Sequence, residues 1–249
     1  MRLLLINTNT TEAITTLLLD SARRLVDSSV VVTGATARFG ARYIASRSAY
    51  AIAGHAALDA YTRHGREVDA VIVACFGDPG LLALREIAPV PVVGMAEASC
   101  RVAASRGRFA IVTGGAAWVP MLREFVAMLG LERQLAGVRA VAPTGAAIAA
   151  DPQGSYVLLA NECQAAVRED GAEVVILGGA GLVGIAEKIA GHVSVPLIDC
   201  LAAAIAVAQN GVKNARSAGT PPVFPYPVES IGLSDPLATM LAGHPAGTR

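Results

Sequence analysis

Apolar residues come in short runs separated by polar or glycine-rich turns. Residues 3–6 form a strand that runs into the polar loop Asn7-Thr8-Asn9-Thr10. From about residue 12 to 26, Leu17, Leu18, Leu19 and Leu25 supply the apolar face of a helix. A second strand falls at 30–33, and a second helix covers 50–64, ended at Gly65 in the manner of a C-cap. The run 70–74 is continuous in Val and Ile, the pattern of a strand buried on both faces, and 91–94 is a fourth strand. The order then recurs. A strand at 109–112 enters Thr113-Gly114-Gly115, a helix follows Pro120, and a strand lies at 138–141. A helix covers about 155–169, a buried strand 174–177, a last strand 195–198, and a helix starts at Leu201 and reaches Val207. Beyond about 217 the proline-rich tail predicts an extended loop and a short helix near 236–241.

The two halves match in register. Residues 2–6 correspond to 108–112, 69–75 to 173–179, and 91–93 to 196–198, all with an offset of about 105 residues. Three anchors sharing one offset indicate an internal duplication. Alternating strands and helices imply an α/β fold with parallel sheets flanked by helices, here in two pseudo-symmetric lobes. The expected division is 1–104 plus about 212–249 for the first lobe and 105–211 for the second. Ligands of such sheets bind beyond the carboxyl ends of the strands, so an inter-lobe cleft is expected where the four strand-end loops converge.

Composition narrows the classes. Hydrophobic residues make up 53% of the 249 and charged residues 16%, enough for a large core and unlike a disordered chain. Lys+Arg and Asp+Glu total 20 each, so no nucleic-acid surface is indicated. That neutrality is compatible with a homo-oligomer. The first apolar run is too short for a secretion signal and no run approaches ~18 residues, so neither export nor membrane insertion is expected and a cytoplasmic protein is. The four cysteines, Cys75, Cys100, Cys163 and Cys200, match no zinc spacing and no CxxC pair, so reduced thiols and no metal are expected.

The candidate chemistry sits at the strand ends. Cys75 follows the third strand in Cys75-Phe76-Gly77-Asp78-Pro79-Gly80, where backbone N–H groups can cradle an anion. A thiol beside such donors is expected to be more acidic than the free value of ~8.5; a buried packing cysteine is the alternative. The matching turn, Gly178-Gly179-Ala180-Gly181, puts Gly179 where Cys75 stands in the first half, so one thiol is presented. Asn9 and Thr113 can hydrogen-bond a ureide or carboxylate, and serve equally as turn formers. Cys200 is either a displaced second thiol or a packing residue. No histidine constellation or phosphate loop is present.

These segments, with Val92-Val93-Gly94-Met95-Ala96-Glu97-Ala98 and the tail motif from Gly232 to Leu237, resemble the hydantoin and allantoin racemases of the aspartate/glutamate/hydantoin racemase superfamily. The resemblance runs along nearly the whole chain. It implies a cofactor-independent isomerase in which two cysteines flank the substrate carbon, one taking a proton α to a carbonyl and the other returning one. Cys75 matches the first catalytic cysteine, and Gly179 stands where the second is expected. Asn9, Phe76, Gly77, Thr113, Gly114, Gly179, Ala180 and Gly181 are the expected substrate contacts. The expected ligand is a small molecule: a hydantoin, allantoin or an amino-acid derivative. The missing second cysteine keeps two further readings open: a single-cysteine decarboxylase or lyase of the same superfamily, and a catalytically silent binding protein.

Overall fold

The computed structural model describes residues 1–141, 152–218 and 227–243. In chain order the first half runs β1 (Arg2–Asn7), α1 (Glu12–Leu25), β2 (Val31–Thr36), α2 (Arg47–His64), β3 (Ala70–Val73), α3 (Leu81–Ile87), β4 (Val92–Gly94) and α4 (Met95–Ala104). The second runs β5 (Phe109–Gly114), α5 (Trp118–Met128), β6 (Leu135–Val141), α6 (Pro152–Asp170), β7 (Val174–Gly178), α7 (Ile185–Ile189), β8 (Leu197–Asp199) and α8 (Cys200–Ala218), with α9 (Asp235–Leu241) last. A short 3-10 turn, Ala180–Leu182, follows β7.

Two four-stranded parallel sheets result, ordered β2-β1-β3-β4 and β6-β5-β7-β8, the same permutation twice. The duplication extends to single hydrogen bonds. Arg2 N–H donates to the Asp69 carboxylate at 2.6 Å, and Arg108 N–H to the Glu173 carboxylate at 2.6 Å. Val71 N–H reaches Pro91 O at 3.0 Å, and Val175 N–H reaches Pro196 O at 3.0 Å.

Strand alternation divides the core. Leu3, Leu5 and Ile72 of the first sheet share one cluster with Phe109, Ile111, Val174 and Ile176 of the second. Leu4, Ile6, Val71 and Val73 face outward into a cluster under α2 and α3, and Ala110, Val112, Val175 and Leu177 into one under α6 and α7. Each fully buried Leu, Ile or Phe contributes about 1.5–3 kcal/mol of transfer free energy. The helices between the sheets pack crosswise: α4 reaches β7, and α8 packs on α4, β3 and β4. Such a shared core holds the strand ends of both sheets in one fixed relation.

Several elements differ from the periodicity reading. Helix α2 starts at Arg47 because Ser46 Oγ accepts the Ala49 N–H at 3.1 Å, an N-cap. Gly65 is not a left-handed cap. Its φ is −79°, its N–H donates to Tyr61 O, and a Cβ there would fall 2.3 Å from the Tyr61 ring. Glycine ends this helix by fit against a side chain. Helix α8 continues to Ala218, well past the expected end. The tail helix is found as α9, and Ser234 Oγ bonds to the Asp59 carboxylate of α2. The expected loop before it falls largely at 219–226, outside the described residues.

Candidate active site

The carboxyl ends of β1, β3, β5 and β7 open on one cavity of about 830 Å³. Each loop is shaped by local bonds. In the first, Asn7 Nδ2 donates to Thr15 Oγ1 at 3.0 Å, and Asn9 Oδ1 accepts the Thr11 N–H at 2.9 Å. Asn9 is therefore a turn former that also lines the cavity.

The loop after β3 turns on Asp78. Asp78 N–H bonds back to Cys75 O at 3.0 Å, and Asp78 takes a left-handed φ of 56°, which Asp tolerates better than most residues. Its carboxylate accepts the amides of Ala96 (2.8 Å) and Glu97 (2.7 Å) at the start of α4. Gly94 leaves room for it, since a Cβ there would lie 2.1 Å from Asp78 Oδ2. The turn carrying Cys75 is thereby tied to the inter-sheet helix. Burial pushes the Asp78 carboxyl up to about 7 despite those two donors.

The lobes meet beside Cys75, where Phe76 packs on Gly178. The Phe76 ring lies so close to Gly178 that a Cβ there would fall 2.5 Å from it. Cys75, Phe76, Asn9, Thr113, Gly114, Gly179, Ala180 and Gly181 all line the cavity.

Gly77 does not line it. With φ at +129°, Gly77 gives its carbonyl to Tyr50 OH (2.6 Å), and a Cβ would strike the Trp118 ring at 2.7 Å. Its role is to let the chain pass behind the site. Cys200 also lies off the cavity: its Sγ is buried behind the second loop and points to Gly179 O at 3.7 Å. It is the packing residue, not a displaced second thiol. Cys100 and Cys163 are buried core residues.

The thiol's acidity is opposite to the expectation. Burial pushes Cys75 up to about 12, the Asp78 carboxylate adds to this, and the Thr8 hydroxyl opposes it. Desolvation of a thiolate outweighs the nearby donors. Thr8 Oγ1 is buried, without a well-aligned partner among the described residues. Replacing Thr8 by Val should therefore slow alkylation of Cys75 by iodoacetamide about tenfold, read by mass spectrometry. Thermal stability should hold or rise, because an unsatisfied buried hydroxyl is removed. A faster alkylation would show that Thr8 does not stabilise the thiolate.

Residues the motifs did not flag complete the walls. Tyr43, on the loop before α2, donates its hydroxyl to Gly114 O at 2.8 Å and so bridges the lobes. Ile14, Leu17, Ile44, Leu182 and Ile185 give an apolar wall, Trp118 a flat one, and Arg42, Tyr156 and Lys188 reach in from other elements. Trp118 was the findable one: it is the single tryptophan, placed just past Thr113-Gly114-Gly115. Among the described residues no group of three or more His, Cys, Asp or Glu side chains could hold a metal ion. No helix of the described residues is long and apolar enough to cross a membrane.

The family profile of Asp/Glu/hydantoin racemases matches residues 3–208. The chain is 39% identical to a hydantoin racemase of Rhizobium meliloti over 143 residues, which span 57% of this chain and 59% of that one. It is 33% identical to a hydantoin racemase of Paenarthrobacter aurescens over 84% of this chain and 90% of that protein. The crystal structure of allantoin racemase from Pseudomonas fluorescens superposes with a TM-score of 0.87 at 30% identity, covering 93% of this chain and all of that one (100%).

Proposed function

The chain belongs to the Asp/Glu/hydantoin racemase family, and on that footing we propose that it acts as a cofactor-independent racemase-type enzyme moving a proton at a carbon α to a carbonyl in a 5-substituted hydantoin or allantoin. One observation carries the reading: Cys75, at the end of β3, and Gly179, at the equivalent point after β7, line the same inter-lobe cavity. Cys75 is the proton-transfer group. Backbone N–H groups of the turns at 75–80 and 178–181 stabilise the enolate oxygen as charge develops on it, and Asn9 and Thr113 orient the ring.

A thiol held near 12 is neutral at rest. It serves readily as an acid and only rarely as a base, and Gly179 offers no partner acid. This favours a second reading in the same site, one-sided protonation of a carbanion formed by loss of carbon dioxide. The experiment is exchange in D2O with enantiopure 5-substituted hydantoins and allantoin, followed by NMR and optical rotation, with no-enzyme and Cys75→Ser controls. Deuterium uptake with loss of rotation is the expected result. Uptake with rotation retained would mean one-sided chemistry. Without uptake above the controls, the racemase reading fails for these substrates and a decarboxylation assay on a disubstituted malonate takes its place.

A further inference from the structure

The cavity has a charge pattern that the proton-transfer reading does not use. Its reacting end is buried, with Cys75 only 6% exposed. Its walls are apolar, from Ile14, Leu17, Leu182 and Ile185. Only two charged side chains line it among the described residues, Arg42 and Lys188, and both are cations on exposed residues. Neither has a carboxylate partner among the described residues' ion pairs, whereas Arg139 has three: Glu162, Glu169 and Asp170.

Lys188 is held in place. Its Nζ donates to Tyr156 OH at 2.8 Å and stands 5.2 Å from the centre of the Tyr156 ring. The Tyr156 oxygen accepts that bond, so its own proton is left to donate elsewhere, and Tyr156 lines the same cavity. An ammonium and a phenol hydroxyl fixed side by side form a two-point donor site for an anionic oxygen pair.

Size points the same way. About 830 Å³ lies in the upper part of the range for pockets that enclose drug-sized ligands, ~300–1,000 Å³. A bare five-membered ureide would leave most of it empty.

We infer that the preferred substrate carries an apolar chain ending in a carboxylate, with the acidic carbon at Cys75 and the carboxylate at Lys188, Tyr156 and Arg42. The inference rests on the proposed proton transfer at Cys75. The attraction lies near solvent, so it is sensitive to salt.

The test compares two 5-substituted hydantoins of equal chain length, one ending in a methyl group and one in a carboxylate. The ratio of their kcat/KM values for deuterium exchange should favour the carboxylate about tenfold in the wild type. It should fall toward one at high salt and in Lys188→Met. In Lys188→Glu it should shift toward a hydantoin ending in an amine. A wild-type ratio of one or below, or a ratio that Lys188→Met leaves in place, would overturn the inference. So would an equal loss on both substrates, which would assign Lys188 to the ring or the enolate instead. Calorimetry of both compounds on Cys75→Ser protein separates this from the chemistry. A tenfold tighter Kd for the carboxylate is expected even if exchange is absent, and equal affinities would overturn the inference whatever the exchange assay shows.

Discussion

Gly179→Cys is expected to raise the rate of racemisation by about 100-fold, the low end of what a positioned general acid or base contributes. Space and backbone both allow the change. Gly179 has φ 162° and ψ 137°, an extended conformation open to any residue. Among the described residues a Cβ there meets only Leu182, at 3.4 and 3.5 Å, which is ordinary contact. The new thiol would extend from the second-lobe loop that lines the cavity. Proton removal at one face and delivery at the other then no longer depend on one group. On the proposed chemistry the wild type would have to complete both steps through Cys75 or borrow a proton from water.

The neighbouring position supplies the control. A Cβ at Gly178 would lie 2.5 Å from the Phe76 ring, so Gly178→Ala should push that ring into the cavity and lower activity without touching the acid/base count. The measurement is the decay of optical rotation of an enantiopure 5-substituted hydantoin, beside deuterium uptake on the same sample. If Gly179→Cys speeds uptake but not loss of rotation, the second thiol is not reaching the opposite face. If neither changes in a folded variant, the cavity does not bind such substrates in the orientation proposed.

The duplicated frame was legible because buried parallel strands read as unbroken apolar runs and because paired acids, Asp69 and Glu173, make the same bond in each half. The convergence of four loops followed from parallel topology together with two duplicated lobes that face each other. Depth was not legible. The acidity of Cys75 depends on how completely the crosswise helices and the Asp78 anchor remove it from water, a property of the assembled core rather than of the motif. Gly77 misled for a related reason: a motif glycine can serve a ligand or a neighbouring ring, and only packing showed Trp118 behind it. Arg42, Tyr43 and Lys188 look in sequence like ordinary surface residues. They become cavity residues because the loop before α2 and the short helix α7 reach the same opening.

Cys75→Ser should reduce enzyme-dependent exchange by about 1,000-fold while leaving the fold in place. Serine is smaller and its hydroxyl far less acidic, so the proposed proton-transfer group is lost. The serine hydroxyl would face Thr8, which has no aligned partner among the described residues, and a bond between them would offset the cost of burying it. The stability change should stay near 1 kcal/mol, about 2–4 °C in Tm for a chain of this size. The pH dependence of the wild type identifies the reason. With Cys75 pushed up to about 12, the thiolate is the minor form throughout the neutral range, and each unit of rising pH multiplies it tenfold. Alkylation by iodoacetamide should therefore climb with unit slope from pH 6 to about pH 10 with no plateau. Its target should be Cys75, since Cys100, Cys163 and Cys200 are 0–1% exposed and none lines the cavity. A plateau near pH 7 would mean an acidified thiol and a base poised for abstraction. Unit slope, together with exchange lost in a folded Cys75→Ser protein, would make Cys75 a neutral proton donor whose rate as a base is limited by how seldom it ionises.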